Sequence, residues 1–204
     1  MTIRRMVGAG TLALLFTASV AIAQAPAPLR VRATIDSVDG PTLNVTSRDG
    51  TKLVVKLADN ATITGVVKAS LSDVKQGGFV GITAMPLPDG TQKAVEIHIF
   101  PEAMRGTGEG HRPWDLMPNS TMTNATVDSE VTISDGQKLV LKYKDGEKTF
   151  IVPTNVVVVT YAPATAADLK PGAKVMVPAG AKQPDGTVVA PRINVGLNGL
   201  TPPM

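Results

Sequence analysis

The sequence contains no cysteine and few aromatic residues: one Trp, two Tyr and four Phe among 204 residues. The absence of cysteine excludes a disulfide framework, a thiol nucleophile, a lipoprotein attachment site and every Cys-based metal site. Charged residues make up only 18% of the chain and hydrophobic residues 43%. This composition is too apolar for a disordered chain, so we expect a folded protein with a packed core.

Long hydrophobic runs are also missing beyond the N-terminal region, because no later segment approaches the ~18 consecutive apolar residues of a membrane helix. The N-terminal region has a basic pair, Arg4 and Arg5, followed by an uncharged stretch at 8–23. This stretch ends in an Ala-Ile-Ala sequence at Ala23. This order predicts a secretory signal peptide over 1–23, cleaved after Ala23 or Ala25. We therefore expect a periplasmic or secreted protein without a membrane span in the mature chain.

The full chain has an excess of basic residues and a net charge of +3. Most of this excess belongs to the predicted signal peptide. Cleavage of the predicted signal removes Arg4 and Arg5 and leaves 18 basic against 17 acidic residues. No basic run or ladder of aromatic residues remains to follow a phosphate backbone. Nucleic acid is therefore not an expected partner.

An internal repeat organises the remaining chain. Three Asp-Gly pairs recur after 96 positions, which gives the six turns Asp39-Gly40, Asp49-Gly50, Asp89-Gly90, Asp135-Gly136, Asp145-Gly146 and Asp185-Gly186. Residues 71–77 resemble 166–172 at an offset of 95, and 33–37 resemble 125–129 at an offset of 92. Repetition at a nearly fixed offset predicts two copies of one structural unit of roughly 70 residues.

Each copy alternates apolar and polar residues with a period of two, which predicts strands, and Asp-Gly supplies the positive φ of hairpin turns. A meander of three strands, a short helical turn and a second hairpin predict an all-β fold of two tandem five-stranded OB-like barrels. The predicted organisation is a signal peptide at 1–23, an Ala/Pro-rich linker at 24–29, barrel 1 at 30–100, an inter-domain segment at 101–123, barrel 2 at 124–196 and a tail at 197–204. A sandwich of the same strand order is the alternative to closed barrels.

These motifs resemble a family of tandem exported bacterial β-barrel domains of unknown function. The residues that carry the resemblance are Asp49-Gly50, 73–77, Asp145-Gly146 and 168–172, and it extends over nearly all of 30–196. Some proteins of this kind are labelled metal ABC transporter permeases, an activity that we do not expect of a sequence without membrane-spanning runs. The resemblance implies the fold and export, and it implies no catalytic residue.

The inter-domain segment concentrates the rare residue types, because it contains the only Trp, one of two His and three Met. Connections longer than ~12 residues are usually functional or disordered. A flexible linker is poor in Trp and Met, so we expect this segment to pack and to bind a ligand or partner through Arg112, Trp114, Asp115 and Met117. In the structural alternative Trp114 covers an open barrel end, and Arg112 pairs with Asp115 at the rim.

A metal site is a second hypothesis for the same region. His98 ends a predicted strand two residues after Glu96 on the same face, and His111 and Met104 follow in the segment. Imidazole with thioether ligands suits copper, and imidazole with carboxylate ligands suits zinc. His98 as a solvent-facing strand residue is the structural alternative, and no close ligand spacing such as His-x-x-x-His supports the metal.

The sequence contains no Gly-x-Ser-x-Gly elbow, no phosphate-cradling loop before a helix and no His-Glu-x-x-His helix. We therefore expect a non-catalytic binding or interaction module of the bacterial cell envelope, with an envelope protein or a small ligand as its partner. The alternatives are a periplasmic copper- or zinc-binding protein and a hydrolase with an unrecognised site.

Overall fold

A computed structural model of the chain describes residues 28–134 and 136–203. The predicted signal peptide, all but the last two residues of the predicted linker, and Asp135 lie outside the described residues. The fold is all-β, as predicted, and within the described part no helix has the length and apolar character needed to cross a membrane.

The strands are numbered in chain order. They are β1 Leu29–Asp39, β2 Thr42–Ser47, β3 Lys52–Lys68, β4 Phe79–Pro86, β5 Gln92–Ile99, β6 Gly110–Pro113, β7 Thr121–Ile133, β8 Gly136–Tyr143, β9 Gly146–Pro153, β10 Val157–Pro163, β11 Lys174–Lys182 and β12 Val188–Gly196. Four single-turn 3-10 helices cover Leu71–Asp73, Glu102–Met104, Ala166–Asp168 and Leu197–Gly199.

The predicted turn chemistry is confirmed where the structure describes it. In the β2–β3 turn, Gly50 has a φ of +87°, and the Asp49 carboxylate accepts a hydrogen bond from the Thr51 backbone N–H at 3.0 Å. The Ser47 hydroxyl and the Thr51 contacts lower the pKa of Asp49 to about 2. The predicted helical turn is also present, since Asp73 accepts from the Ser70 backbone N–H at 2.8 Å. The turn at Gly50 places β2 and β3 side by side as an antiparallel hairpin.

The strands form two closed five-stranded rings. The terminal barrel consists of β1, β2, β3, β12 and β11, and the parallel pairing of β3 with β12 closes it. The central barrel consists of β4, β5, β9, β8 and β7, and it is closed by the short parallel pairing of β5 with β9. Strand β10 joins the two rings, because it pairs antiparallel with β3 and parallel with β5.

The predicted domain boundaries are wrong about which strands share a barrel. Strands β11 and β12 of the predicted second domain pair with β1 and β3, while β4 and β5 of the predicted first domain pair with β7 and β9. The exchange depends on the 17 residues of β3, which pairs with β2 at its start and with β10 at its end, outside its own meander. The central barrel is therefore inserted between β3 and β11 of the terminal barrel.

Each barrel has its own apolar interior. The core of the terminal barrel combines residues from both ends of the chain, such as Ile35, Leu43, Val177 and Ile193, all at most 1% exposed. The core of the central barrel is contiguous in sequence and includes Phe150, which is fully buried. The inter-domain segment at 101–123 contains β6, which pairs with β7, so it is part of the sheet.

Candidate functional site

A cavity of about 130 Å³ lies between the two barrels. The central barrel contributes β5 and β7, the terminal barrel contributes β11 and β12, and β10 and the segment before β7 complete the wall. The lining residues are His98, Phe100, Met104, Thr107, Gly108, Arg112, Trp114, Met122, Asn124, Tyr161, Met176, Pro178, Arg192 and Asn194. Aromatic rings and thioethers make most of this wall apolar, and a few polar groups interrupt it.

Strand register brings His98 and Asn124 together over one glycine. Gly81 of β4 lies opposite His98 of β5 on one side and opposite Asn124 of β7 on the other. Side chains of laterally paired residues point to the same face of a sheet. A Cβ on Gly81 would lie 2.0 Å from His98 Nε2 and 2.6 Å from Asn124 Oδ1. The missing side chain at Gly81 therefore provides the space that both residues occupy.

A buried carboxylate orients the His98 ring. His98 Nδ1 lies 3.0 Å from Glu96 Oε1, and the Thr83 hydroxyl donates to Glu96 Oε2 at 2.8 Å. His98 is 3% exposed and Glu96 is 1% exposed. A hydrogen on Nδ1 lets His98 donate to Glu96 Oε1. The predicted same-face relation of Glu96 and His98 is confirmed, and the solvent-facing alternative for His98 is wrong.

Aromatic rings enclose the other side of His98. Its ring centroid lies 4.8 Å from that of Phe100 and 6.1 Å from that of Tyr161, with nearly perpendicular planes. Burial, and then the negative charge of Glu96, raise the pKa of Tyr161 above its usual value. The Tyr161 hydroxyl therefore stays neutral at any physiological pH.

Among the described residues, Trp114 Nε1 and Asn124 Oδ1 are buried polar atoms of lining residues that have no hydrogen-bond partner. The orientation of the Asn124 amide is defined, because its Nδ2 donates to the Thr107 carbonyl at 2.9 Å. Leaving a buried donor or acceptor unpaired costs ~1–3 kcal/mol. The wall of the cavity thus offers one donor and one acceptor that a ligand or water can pair.

Trp114 packs between the barrels rather than over a barrel end, against a cluster that includes Val66, Val159 and Met176. The Arg30 guanidinium carbon lies 3.9 Å from its ring centroid, and that of Arg112 lies 5.5 Å away. These are cation–π distances. The alternative that placed Trp114 over an open barrel end is therefore wrong.

Asp115 does not pair with Arg112, so that part of the rim alternative is wrong too. Its carboxylate accepts from Arg32 at 2.9 Å and lies 3.4 Å from Arg30 Nη1, while Arg112 Nη1 donates to the Gly108 carbonyl at 2.7 Å. Burial raises the pKa of Asp115, but the hydrogen bond from Arg32 and the charges of both arginines together lower it below its usual value. Asp115 thus remains ionised and balances one of the two positive charges.

The structure does not bring the two histidines together. His111 pairs laterally with Thr123, and its Nδ1 lies 2.7 Å from the Thr123 hydroxyl. Thr123 is in register with Ile82 of the central core, so His111 lies on the opposite face of the sheet from His98. Burial, followed by the charges of Lys148 and Arg112, lowers the pKa of His111.

Of the other predicted residues, Met104 lines the cavity with His98, whereas Met117 does not. The Met117 carbonyl instead accepts from the Ser120 hydroxyl at 2.8 Å, in the turn before β7. No group of three or more His, Cys, Asp or Glu side chains placed to hold a metal ion occurs within 28–134 and 136–203.

Four polar lining residues on strands were not predicted from the sequence: Asn124 on β7, Tyr161 on β10, and Arg192 and Asn194 on β12. No local motif marks them. One signal existed for Asn194, which follows His98 by the same 96 positions that separate the Asp-Gly pairs.

No protein-family model, curated protein or solved structure matches the chain. The chemistry of the cavity is therefore the basis for a functional assignment.

Proposed function

We propose that the protein is a non-catalytic ligand-binding module of the bacterial cell envelope, and that the cavity between the barrels holds a small ligand. The observation that carries this proposal is an apolar cavity whose lining residues Trp114 and Asn124 each retain an unpaired buried polar atom. Its volume of about 130 Å³ is close to the ~150 Å³ that accommodates a benzene ring in a protein interior. The expected ligand is a single ring or a short acyl group with one hydrogen-bond acceptor and one donor.

The location and the ancestry in this proposal rest on the sequence. The basic start and apolar stretch before Ala23 support export to the periplasm or beyond. The repeat at an offset of 96 supports a duplicated OB-like unit, and the identical pairing order of the two rings agrees with it. The two units provide a concave surface where they meet, which is a common place for a ligand site.

The single tryptophan makes the proposal testable, because the emission of Trp114 reports on the cavity. Benzamide is a suitable probe: its ring fits the volume, its carbonyl can accept from an indole N–H, and its NH₂ group can donate to an amide oxygen. We expect a saturable change in Trp114 emission on titration with benzamide. Asn124→Leu should weaken binding about tenfold, because an unpaired polar group on the ligand costs more than ~1 kcal/mol.

Asn44→Leu is the matched control, since Asn44 is exposed on the terminal barrel. Native mass spectrometry of protein isolated from a bacterial periplasm supplies an independent measurement, and we expect a small bound mass that denaturation releases. Equal benzamide affinities of the two leucine variants, or no bound mass together with no response to benzamide, would contradict the proposal.

A second candidate function is Cu(I) binding, favoured by the thioethers that share the cavity with His98. Met104, Met122 and Met176 all line its wall, and soft thioether ligands together with imidazole select Cu(I). Metal-binding histidines commonly donate from their other ring nitrogen to a carboxylate, which is the relation of His98 to Glu96. This set replaces the predicted combination of His98 with His111.

Competition for Cu(I) with bicinchoninate tests this second candidate, with Zn(II) as the comparison ion. We expect Met122→Leu and Met176→Leu each to weaken Cu(I) binding at least tenfold, and Met85→Leu outside the cavity to leave it unchanged. Failure of the wild-type chain to remove Cu(I) from bicinchoninate, or equal effects of all three variants, would eliminate copper as the ligand.

A further inference from the structure

A second concave surface lies on the outside of the terminal barrel, next to the β2–β3 turn. This groove of about 300 Å³ is lined by the three cations Arg32, Arg48 and Lys174, by hydroxyl residues and by a short stretch of the C-terminal tail. No carboxylate residue is among the described residues that line it. We call it the cationic groove.

Strand register explains why these cations meet. Lys174 of β11 lies opposite Thr34 of β1, and its Nζ donates to the Thr34 hydroxyl at 2.7 Å. Arg32 is two residues before Thr34 and so shares its face of the sheet. The Arg48 backbone N–H donates to the Arg32 carbonyl at 3.1 Å, which ties the β2–β3 turn to the same edge.

The positive charge in the groove is only partly balanced. Arg32 pairs with Asp115 at 2.9 Å, but Arg48 and Lys174 have no ion pair within the described ranges. The Arg48 Nη2 atom instead reaches the Pro202 carbonyl at 3.3 Å. Burial, followed by the charge of Arg32, lowers the pKa of Arg48, which agrees with two guanidinium groups held close together. Like charges held at this proximity are stabilised by a bound anion.

We propose that the cationic groove binds the phosphate group of a ligand. Arg32 and Arg48 supply planar guanidinium donors that match the oxygens of a phosphate, Lys174 supplies a point charge, and the Ser47 and Thr201 residues of the lining supply hydroxyls. The ligand is either free phosphate or the phosphate of a lipid headgroup, because the recognising chemistry is the same. The Asp115 carboxylate competes with this ligand for Arg32.

Titration of the full mature chain with inorganic phosphate, followed by NMR of the arginine and lysine side chains, tests the proposal. Arg48→Gln and Lys174→Gln should each weaken phosphate binding about tenfold, the effect of one lost charge-assisted hydrogen bond. Asp115→Asn should strengthen it several-fold, since it releases Arg32. Lys75→Gln removes the same charge from an exposed site on the central barrel and should change nothing.

Flotation with phosphatidylglycerol vesicles forms the second arm, and phosphatidylcholine vesicles of the same size serve as the reference. Binding of inorganic phosphate that depends on Arg48 supports a soluble phosphate ligand, and flotation that depends on Arg48 supports a lipid headgroup. Absence of both, or equal effects of Arg48→Gln and Lys75→Gln, would overturn the proposal. The cationic groove shares no lining residue with the cavity, so Arg48→Gln should leave benzamide binding intact.

Discussion

Replacement of Gly81 by alanine tests the packing that holds His98 at the cavity. The new methyl group would lie 2.0 Å from His98 Nε2 and 2.2 Å from His98 Cε1, far inside van der Waals contact. The φ angle of Gly81 is not in the left-handed region, so the backbone itself accepts an alanine. The effect of the substitution should therefore be steric, and it should act mainly on the imidazole, which lies closer to the new methyl than Asn124 Oδ1 does.

The expected loss of stability follows from the contacts that are broken when the His98 ring moves. Displacement of His98 breaks its contact with Glu96, and the buried Glu96 carboxylate then retains only the hydrogen bond from Thr83. Losing this hydrogen bond in the interior costs ~1–3 kcal/mol, and displacing a packed side chain adds ~1–3 kcal/mol. We expect the free energy of unfolding of Gly81→Ala to fall by about the sum of these two amounts, which is a large part of the ~5–15 kcal/mol that stabilises a typical domain.

Urea unfolding followed by circular dichroism measures this loss through linear extrapolation. The control is the same substitution in a His98→Ala background, where the two closest atoms are gone. Of the three atoms closest to the new methyl, only Asn124 Oδ1 at 2.6 Å then remains, and it is the end of a short side chain that can move. We expect a coupling of about 2–3 kcal/mol between the two substitutions, within the range measured for residues in direct contact. Equal effects of Gly81→Ala in both backgrounds would refute the proposed packing of His98 over Gly81.

Two further predictions concern pH and strand exchange. The pKa of His111 is lowered below 6.5 by burial and by two nearby cations, so the unfolded chain takes up a proton at higher pH than the folded chain. Stability should therefore fall as the pH drops below about 6.5, and His111→Gln should flatten this part of a plot of urea midpoint against pH. A fragment of residues 69–156 contains all five strands of the central barrel and should give dispersed NMR spectra, whereas a fragment of residues 30–100 should not. A folded 30–100 fragment would contradict the observed strand exchange.

Local chemistry made much of this fold predictable. The Asp-Gly pairs, the Ser70 cap and the period-two alternation each act within a few residues, and the structure contains the hairpins and turns that they predict where those turns are described. The second half of β3 was not predicted, because Asp59, Asn60 and Gly65 are typical of turns. In the structure Gly65 instead permits the close approach of Leu197, whose Cδ1 would lie 2.7 Å from a Cβ at that position.

The exchange of hairpins between the two copies could not be predicted from the sequence for a different reason. A hairpin has two edges that can pair with any compatible strand, and the two copies present nearly equivalent edges. The choice between them depends on long-range geometry, chiefly the length of β3. The cavity could not be predicted for the same reason. Its residues come from five strands and the segment before β7, and they span His98 to Asn194.

Because the central barrel is inserted into the terminal barrel, ligands at the two sites should stabilise different parts of the protein. The cavity wall belongs to both barrels, since Asn124 lies in the central ring and Met176 in the terminal ring. A ligand bound there requires both rings to be folded, so at a hundredfold excess over its Kd it should stabilise both by ~2.7 kcal/mol. All lining residues of the cationic groove belong to the terminal barrel and its tail, so phosphate should protect only the terminal ring from exchange of its amide hydrogens. The central ring is contiguous in sequence and can remain folded when the terminal ring opens, so the two sites act on different unfolding equilibria.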